Sequence, residues 1–131
     1  MRRLGISIYP EKSTLEDIKK YLKKTSELGF SRIFSCLLSV SKPAEEIKKE
    51  FTEINEYAHS LGFEVIVDVS PRVFGELNIS YKDLSFFKEI GADGIRLDAG
   101  FSGLEESIMT YNPEGLIIEI NMSNNVHTLD T

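Results

Sequence analysis

Three junctions in this chain repeat one pattern: Leu28-Gly29-Phe30-Ser31-Arg32-Ile33, Leu61-Gly62-Phe63-Glu64-Val65-Ile66 and Ile90-Gly91-Ala92-Asp93-Gly94-Ile95. In each, a glycine follows the last apolar residue of a helix-spaced run, and a strand-like run begins within a few residues. Glycine adopts the left-handed backbone that ends a helix without steric cost. The repeating unit is therefore helix, glycine, strand. Strands that alternate with helices in this way form a parallel sheet joined by right-handed crossovers.

The helical runs support this grammar. Leu15, Ile18, Leu22 and Leu28 predict a first helix over 14–28, opened by a Ser13-x-x-Glu16 capping box. A second begins with Pro43 in its first turn, carries Ile47, Phe51, Ile54, Ala58 and Leu61 on one face, and stops at Gly62. A third opens at Ser80-x-x-Asp83, buries Leu84, Phe87 and Ile90, and stops at Gly91. A shorter fourth opens at Ser102-x-x-Glu105, includes Ile108 and Met109, and ends before Asn112-Pro113. With a first strand from Leu4 to Tyr9, five strands alternate with four helices. The register of the second strand, from Ile33 to Ser39, is ambiguous.

Two α/β architectures accept five such strands. A doubly wound, flavodoxin-like sheet covers its central strands with helices on both faces, so those strands read as continuous apolar runs. These strands instead alternate. Gly5, Ser7 and Tyr9 interleave with Leu4, Ile6 and Ile8, while Arg96 and Glu119 lie inside strands where a second helix layer would have to desolvate them. A barrel covers one face only and tolerates polar groups near its C-terminal mouth. The pattern favours a partial TIM-type barrel. A complete (β/α)8 barrel needs roughly 250 residues, so 131 residues are expected to supply the N-terminal five-strand portion of a truncated barrel. Open edges on the first and last strands would expose unpaired backbone and favour self-association.

The net charge of −6, with no basic cluster, argues against a nucleic-acid surface. Cys36 is the single cysteine, which excludes an intrachain disulfide and fits a reducing cytoplasm, and its apolar strand suggests a small buried hydrophobe. No apolar run approaches the ~18 residues of a membrane span, so no membrane association is expected. No Gly-x-Gly-x-x-Gly, P-loop, Gly-x-Ser-x-Gly or zinc-type Cys/His spacing occurs, and neither cofactor nor metal is expected.

Carboxylates and amides at strand ends are what remain for chemistry. Asp68 in Val67-Asp68-Val69-Ser70-Pro71 and Asp98 in Arg96-Leu97-Asp98-Ala99-Gly100 lie where barrel enzymes place reacting groups. Turn capping explains both about as well. Two facing carboxylates suit glycoside hydrolysis, in which one protonates the leaving oxygen and the other serves as nucleophile or base. Arg96 could clamp an anion, although an internal ion pair with Glu119 on the neighbouring strand is at least as reasonable. Asn121, Ser123 and Asn124 form a hydrogen-bonding strip suited to sugar hydroxyls and amides. Glu11 after the first strand and Ser70 after the third complete the mouth. Arg72 is a weak phosphate candidate, His59 is expected to be exposed on a helix, and His127 follows the last strand.

The strings Leu4-Gly5-Ile6-Ser7-Ile8-Tyr9-Pro10-Glu11, Arg32-Ile33-Phe34-Ser35-Cys36-Leu37-Leu38-Ser39, Val67-Asp68-Val69-Ser70-Pro71, Gly94-Ile95-Arg96-Leu97-Asp98-Ala99-Gly100-Phe101 and Glu119-Ile120-Asn121-Met122-Ser123-Asn124 together resemble the bacterial 6-phospho-N-acetylmuramidase family. The resemblance implies a TIM-type barrel followed by a cyclophilin-like β domain. It also implies a cytoplasmic glycosidase of peptidoglycan recycling, which cleaves N-acetylmuramic acid 6-phosphate from N-acetylglucosamine in a phosphorylated disaccharide of cell-wall origin. On that reading Asp68 and Asp98 are the catalytic candidates, and Glu11, Ser70, Asn121 and Asn124 join Arg96 and Glu119 at the substrate. The later barrel strands and the β domain are absent, so the hydrolase activity of this chain alone is expected to be lost. Two other readings stay open: an autonomous flavodoxin-like binding or regulatory domain with strand order 2-1-3-4-5, and a different phosphosugar barrel enzyme such as an epimerase or aldolase. The lack of a strand-end lysine weakens the Schiff-base version of the latter.

Overall fold

A computed structural model describes residues 5–10, 13–37, 42–97, 100–111 and 114–120. The elements run β1 (Gly5–Ile8), α1 (Leu15–Glu27), β2 (Arg32–Cys36), α2 (Ala44–Ser60), β3 (Glu64–Val69), α3 (Pro71–Glu76), α4 (Ser85–Glu89), β4 (Gly94–Leu97), α5 (Gly103–Thr110) and β5 (Ile117–Ile120). All four strand pairings are parallel, and the sheet order is β1-β2-β3-β4-β5. The flavodoxin order 2-1-3-4-5 is not found.

This order determines where the helices lie. Right-handed crossovers that always advance in the same direction place every helix on the same face of the sheet. The core agrees: Ile33, Val65, Val67, Val69, Ile95 and Leu97, one side of the strands, cluster with Ile18, Leu22, Phe51, Ile54, Phe87 and Met109 from the helices. Side chains of opposite parity, including Ile66 and Cys36, are buried but lie outside that cluster. The sheet is singly wound, as in the first five strands of a barrel.

The junction glycines do what the sequence requires of them. Gly29, Gly62 and Gly91 have φ of +96°, +89° and +85°, and the residues after them return bonds to the helix they close, Phe30 N–H to Thr25 O at 3.1 Å and Phe63 N–H to Ala58 O at 3.0 Å. The α5 capping box forms as expected, with Ser102 Oγ accepting from Glu105 N–H and Glu105 accepting from Ser102 N–H. In α1 the cap is Thr14, accepting from Asp17 N–H at 3.1 Å, not Ser13.

The segment after β3 departs most from expectation. The expected helix from Ser80 to Gly91 is helical only over Ser85–Glu89. Ser80 Oγ accepts from Lys82 N–H and Asp83 Oδ1 from Ser85 N–H, both at 3.1 Å, so these polar side chains build turns that compete with a helical start. Leu84, Phe87 and Ile90 are buried as predicted. The short α3 is an additional element, opened by Pro71 at its first turn, where proline's missing N–H costs nothing. Phe74 from α3 packs against Tyr81 and Phe101, with ring centroids 5.0 and 5.5 Å apart, which joins the segments following β3 and β4.

Candidate active site

The helix-free face of the sheet is built in rows, because parallel pairing brings residues of like parity side by side. Gly5, Arg32 and Glu64 form the first row; Ser7, Phe34, Ile66, Gly94 and Ile117 the second; Cys36, Asp68, Arg96 and Glu119 the third. The last of these lies toward the C-terminal strand ends. It holds two of the predicted positions on the two central strands, Asp68 and Arg96, and a third, Glu119, on β5.

Arg96 is committed to Asp68. Its Nε donates to Oδ1 at 2.8 Å and its Nη2 to Oδ2 at 2.7 Å, the two-pronged geometry that a planar guanidinium offers a carboxylate. The side chains are 25% and 18% exposed, so the pair is partly shielded from solvent. Burial alone would lower the Arg96 pKa, but the Asp68 hydrogen bond and charge, helped by Cys36 and Glu119, outweigh it and hold the guanidinium above its usual value. The expected pairing of Arg96 with Glu119 gives way to this one. Arg96 faces both carboxylates across its two neighbouring strands, and the fork closes on Asp68.

Glu119 is instead paired with Arg32. The Arg32 Nη2 donates to Glu119 Oε2, and its Nε donates to Glu64 Oε1 at 2.7 Å. Arg32 was not among the sequence candidates. It directly follows a helix-closing turn and reads as a turn residue until the register of β2 places it on the same face as Phe34 and Cys36. Phe34 lies between the two cations: the Arg96 guanidinium sits 4.0 Å from its ring centroid and that of Arg32 5.4 Å.

Cys36 is buried, as expected, but on the polar face. Its Sγ lies 3.5 Å from Asp68 Oδ2. Ser70 follows β3 as the residue preceding α3, half-buried and with extended backbone, two residues beyond Asp68 on the same side. Arg72 is taken up by Glu76 one turn along α3, at 2.9 Å. His59 is exposed on α2 and bonds Asp93 at 2.8 Å, at the opposite end of the sheet. Glu11, Asp98, Asn121, Ser123, Asn124 and His127 lie outside the described residues. Among the described residues, no three His, Cys, Asp or Glu side chains are grouped to hold a metal ion, and no helix is long and apolar enough to cross a membrane.

The arrangement is thus a carboxylate at a strand's C-terminal end, oriented by a guanidinium, above a second ion-paired layer. The family described as 6-phospho-N-acetylmuramidase, N-terminal, matches residues 4–131. The chain belongs to that family. A solved, uncharacterised protein from B. cereus is 51% identical, with a TM-score of 0.75 over 98% of this chain and 33% of its own. A conserved protein of unknown function from Enterococcus faecalis is 24% identical, with a TM-score of 0.70 over 98% of this chain and 35% of its own. The N-terminal domain of a putative aldolase from Bacteroides vulgatus shares the fold at 16% identity, with a TM-score of 0.64 over 99% of this chain and 46% of its own. No functionally curated protein matches. This muramidase-family chain therefore spans about a third of the length of the first two solved relatives.

Proposed function

We propose that this chain forms the first five βα units of a cytoplasmic 6-phospho-N-acetylmuramidase barrel, which hydrolyses the bond between N-acetylmuramic acid 6-phosphate and N-acetylglucosamine during peptidoglycan recycling. The remaining barrel strands and a C-terminal cyclophilin-like domain complete the enzyme. The observation that carries this reading is the Asp68 carboxylate, held by Arg96 on the helix-free face at a strand's C-terminal end, in a chain that belongs to the muramidase family.

Hydrolysis of a glycosidic bond needs a proton at the leaving oxygen and a negative group opposite the developing oxocarbenium ion. Asp68 suits the second task. Both its oxygens accept N–H bonds from one guanidinium, an arrangement that matches the carboxylate form and offers no proton. In this assignment Asp98, which follows β4, supplies the acid. Ser70, Glu11, Asn121 and Asn124 bond sugar hydroxyls and the acetamido group. Arg96 and Glu119 border the substrate while holding the ion-paired layers in place. The phosphate grip of a barrel often comes from the loops after strands seven and eight, which would lie in the completing part.

The test is release of N-acetylglucosamine from the phosphorylated disaccharide. The complete protein is expected to turn it over, and Asp68→Asn and Asp98→Asn are each expected to lower kcat about a hundredfold or more. Folded variants that both retain full turnover would reject the assignment.

A further inference from the structure

The ring of Phe34 occupies a position that the sequence of polar candidates gives no reason to notice. It belongs to the row between the two ion-paired layers, and both guanidiniums of those layers lie against it, Arg96 at 4.0 Å and Arg32 at 5.4 Å from its centroid. Room for it is built in on β1. A Cβ on Gly5 would lie 2.9 Å from Phe34 Cε2, so only a residue without a side chain leaves the ring where it is. The ring is half-buried, which removes part of the water that would otherwise compete for the cations.

The fork between Arg96 and Asp68 depends on the plane of the guanidinium. An arginine side chain has many rotamers, and a bidentate bond uses only one orientation of its planar head. The carboxylate cannot select that orientation alone, since either oxygen would accept a single bond from several rotamers. A flat aromatic face beneath the guanidinium restricts it further. We propose that Phe34 is the positioning residue of this site: its ring fixes the Arg96 guanidinium, and through it the two oxygens of Asp68, in the geometry that faces the sugar. The catalytic meaning of this rests on the reading of Asp68 given above, whereas the mechanical link does not.

The link is measured by the exchange rate of the Arg96 Nε–H proton with water, read by NMR on the 15N-labelled chain and assigned by its disappearance in Arg96→Lys. Phe34→Leu keeps apolar bulk but removes the π face, and it is expected to accelerate exchange about fivefold or more, as loss of a partly desolvated cation–π contact would. Phe34→Tyr retains the ring and should restore near-wild-type exchange. The Nε–H of Arg32, whose guanidinium is farther from the ring, serves as the internal control and should change less. Unchanged Arg96 exchange in Phe34→Leu, or equal acceleration in Phe34→Tyr, overturns the proposal.

Should Phe34→Leu fail to fold, pentafluorophenylalanine incorporated at position 34 decides the matter, because it keeps the ring's shape and reverses the charge on its face. Faster exchange there supports the proposal, and an unchanged rate overturns it. In the complete enzyme, Phe34→Leu should lower kcat more than it raises KM. If exchange responds as expected while Asp68→Asn leaves hydrolysis intact, the assignment of Asp68 fails and the positioning of the pair by Phe34 stands.

Discussion

Arg32 on β2 donates to Glu119 on β5, three strands away across the helix-free face. Strands in a flat sheet lie about 4.8 Å apart, which would put β2 and β5 about 14 Å from each other, and side chains rise roughly perpendicular to the sheet. Their tips would then stay far apart. The two meet because the sheet is rolled and this face is concave. The pair is also staggered along the strands: Arg32 is in register with Glu64, whereas Glu119 is in register with Arg96 and through it with Asp68, four residues farther along β3. Such a slant is what the shear of a closed barrel requires.

The same pair gives unequal costs to removing either partner. Among the described residues, the ion pairs of the concave face join three carboxylates, Glu64, Asp68 and Glu119, to two guanidiniums. Arg32→Met removes the guanidinium that Glu64 and Glu119 share and should cost about 2 kcal/mol, after allowing for their partial exposure. Glu119→Gln leaves Arg32 paired with Glu64 and should cost about 1 kcal/mol or less. Urea unfolding of both variants checks the order, and a larger loss for Glu119→Gln would contradict this account of the layer.

Local signals in the sequence were legible, and long-range choices of partner were not. The helix–glycine–strand repeat and the Ser102-x-x-Glu105 box act within a few residues, so the chain displays them directly. The six residues of α3 are too few to show helical periodicity, and a proline at the first turn is the single local feature that marks its start. Arg96 was placed on the right face, but its partner depends on how the sheet curves. Arg32 was missed for the same reason, compounded by the uncertain register of β2. No local pattern tells a chain that residues 32 and 119 will touch.

Gly94 tests how tightly β4 and β5 are joined. A Cβ there would lie 2.4 Å from Ile117 O and 2.6 Å from Ile117 Cβ, with Ile66 Cδ1 at 3.0 Å. The obstacle is the backbone of the next strand, which cannot rotate aside. Gly94→Ala should therefore cost about 3 kcal/mol or more and loosen β5 first. Gly5→Ala meets only the edge of the Phe34 ring and should cost less. Thermal unfolding, with hydrogen exchange of the β5 amides, separates the two. Equal effects would mean that β5 adjusts freely.

The junction between α5 and the turn at Tyr81 sets an expected pH response. The Glu105 carboxyl is held below its usual range, chiefly by the backbone N–H of Ser102 and also by the Tyr81 hydroxyl. Its stabilisation is complete above the unfolded carboxylate pKa, near 4.3, and is lost as pH falls through the lower folded value. Tyr81 is shifted upward, first by burial and then by Glu105. Its stabilisation is present below the ordinary phenol pKa of about 10 and is lost as pH rises through the folded value. Glu105→Gln should flatten the acid limb of a stability profile, and Tyr81→Phe the alkaline limb. A Tyr81→Phe variant with an unaltered alkaline limb would show that the phenol contributes nothing to folding.

Among the described residues, β1 pairs only with β2 and β5 only with β4, so each presents one row of backbone donors and acceptors to the outside. Apolar side chains accompany both edges: Ile117 and Ile120 on β5 are 40% and 36% exposed, and Tyr9 after β1 is 43% exposed. An uncovered parallel edge with apolar flanks is a template for another strand. The 131-residue chain is therefore expected to self-associate as its concentration rises, visible as an increasing weight-average mass in sedimentation equilibrium. Lysine at the β5 edge should oppose this, because its charge must be desolvated when a second strand adds. Ile120→Lys is the preferred variant, since Ile117 also packs against Gly94 on the concave face. A chain that stays monomeric at all concentrations would show that these edges are protected by their own twist and by the neighbouring loops.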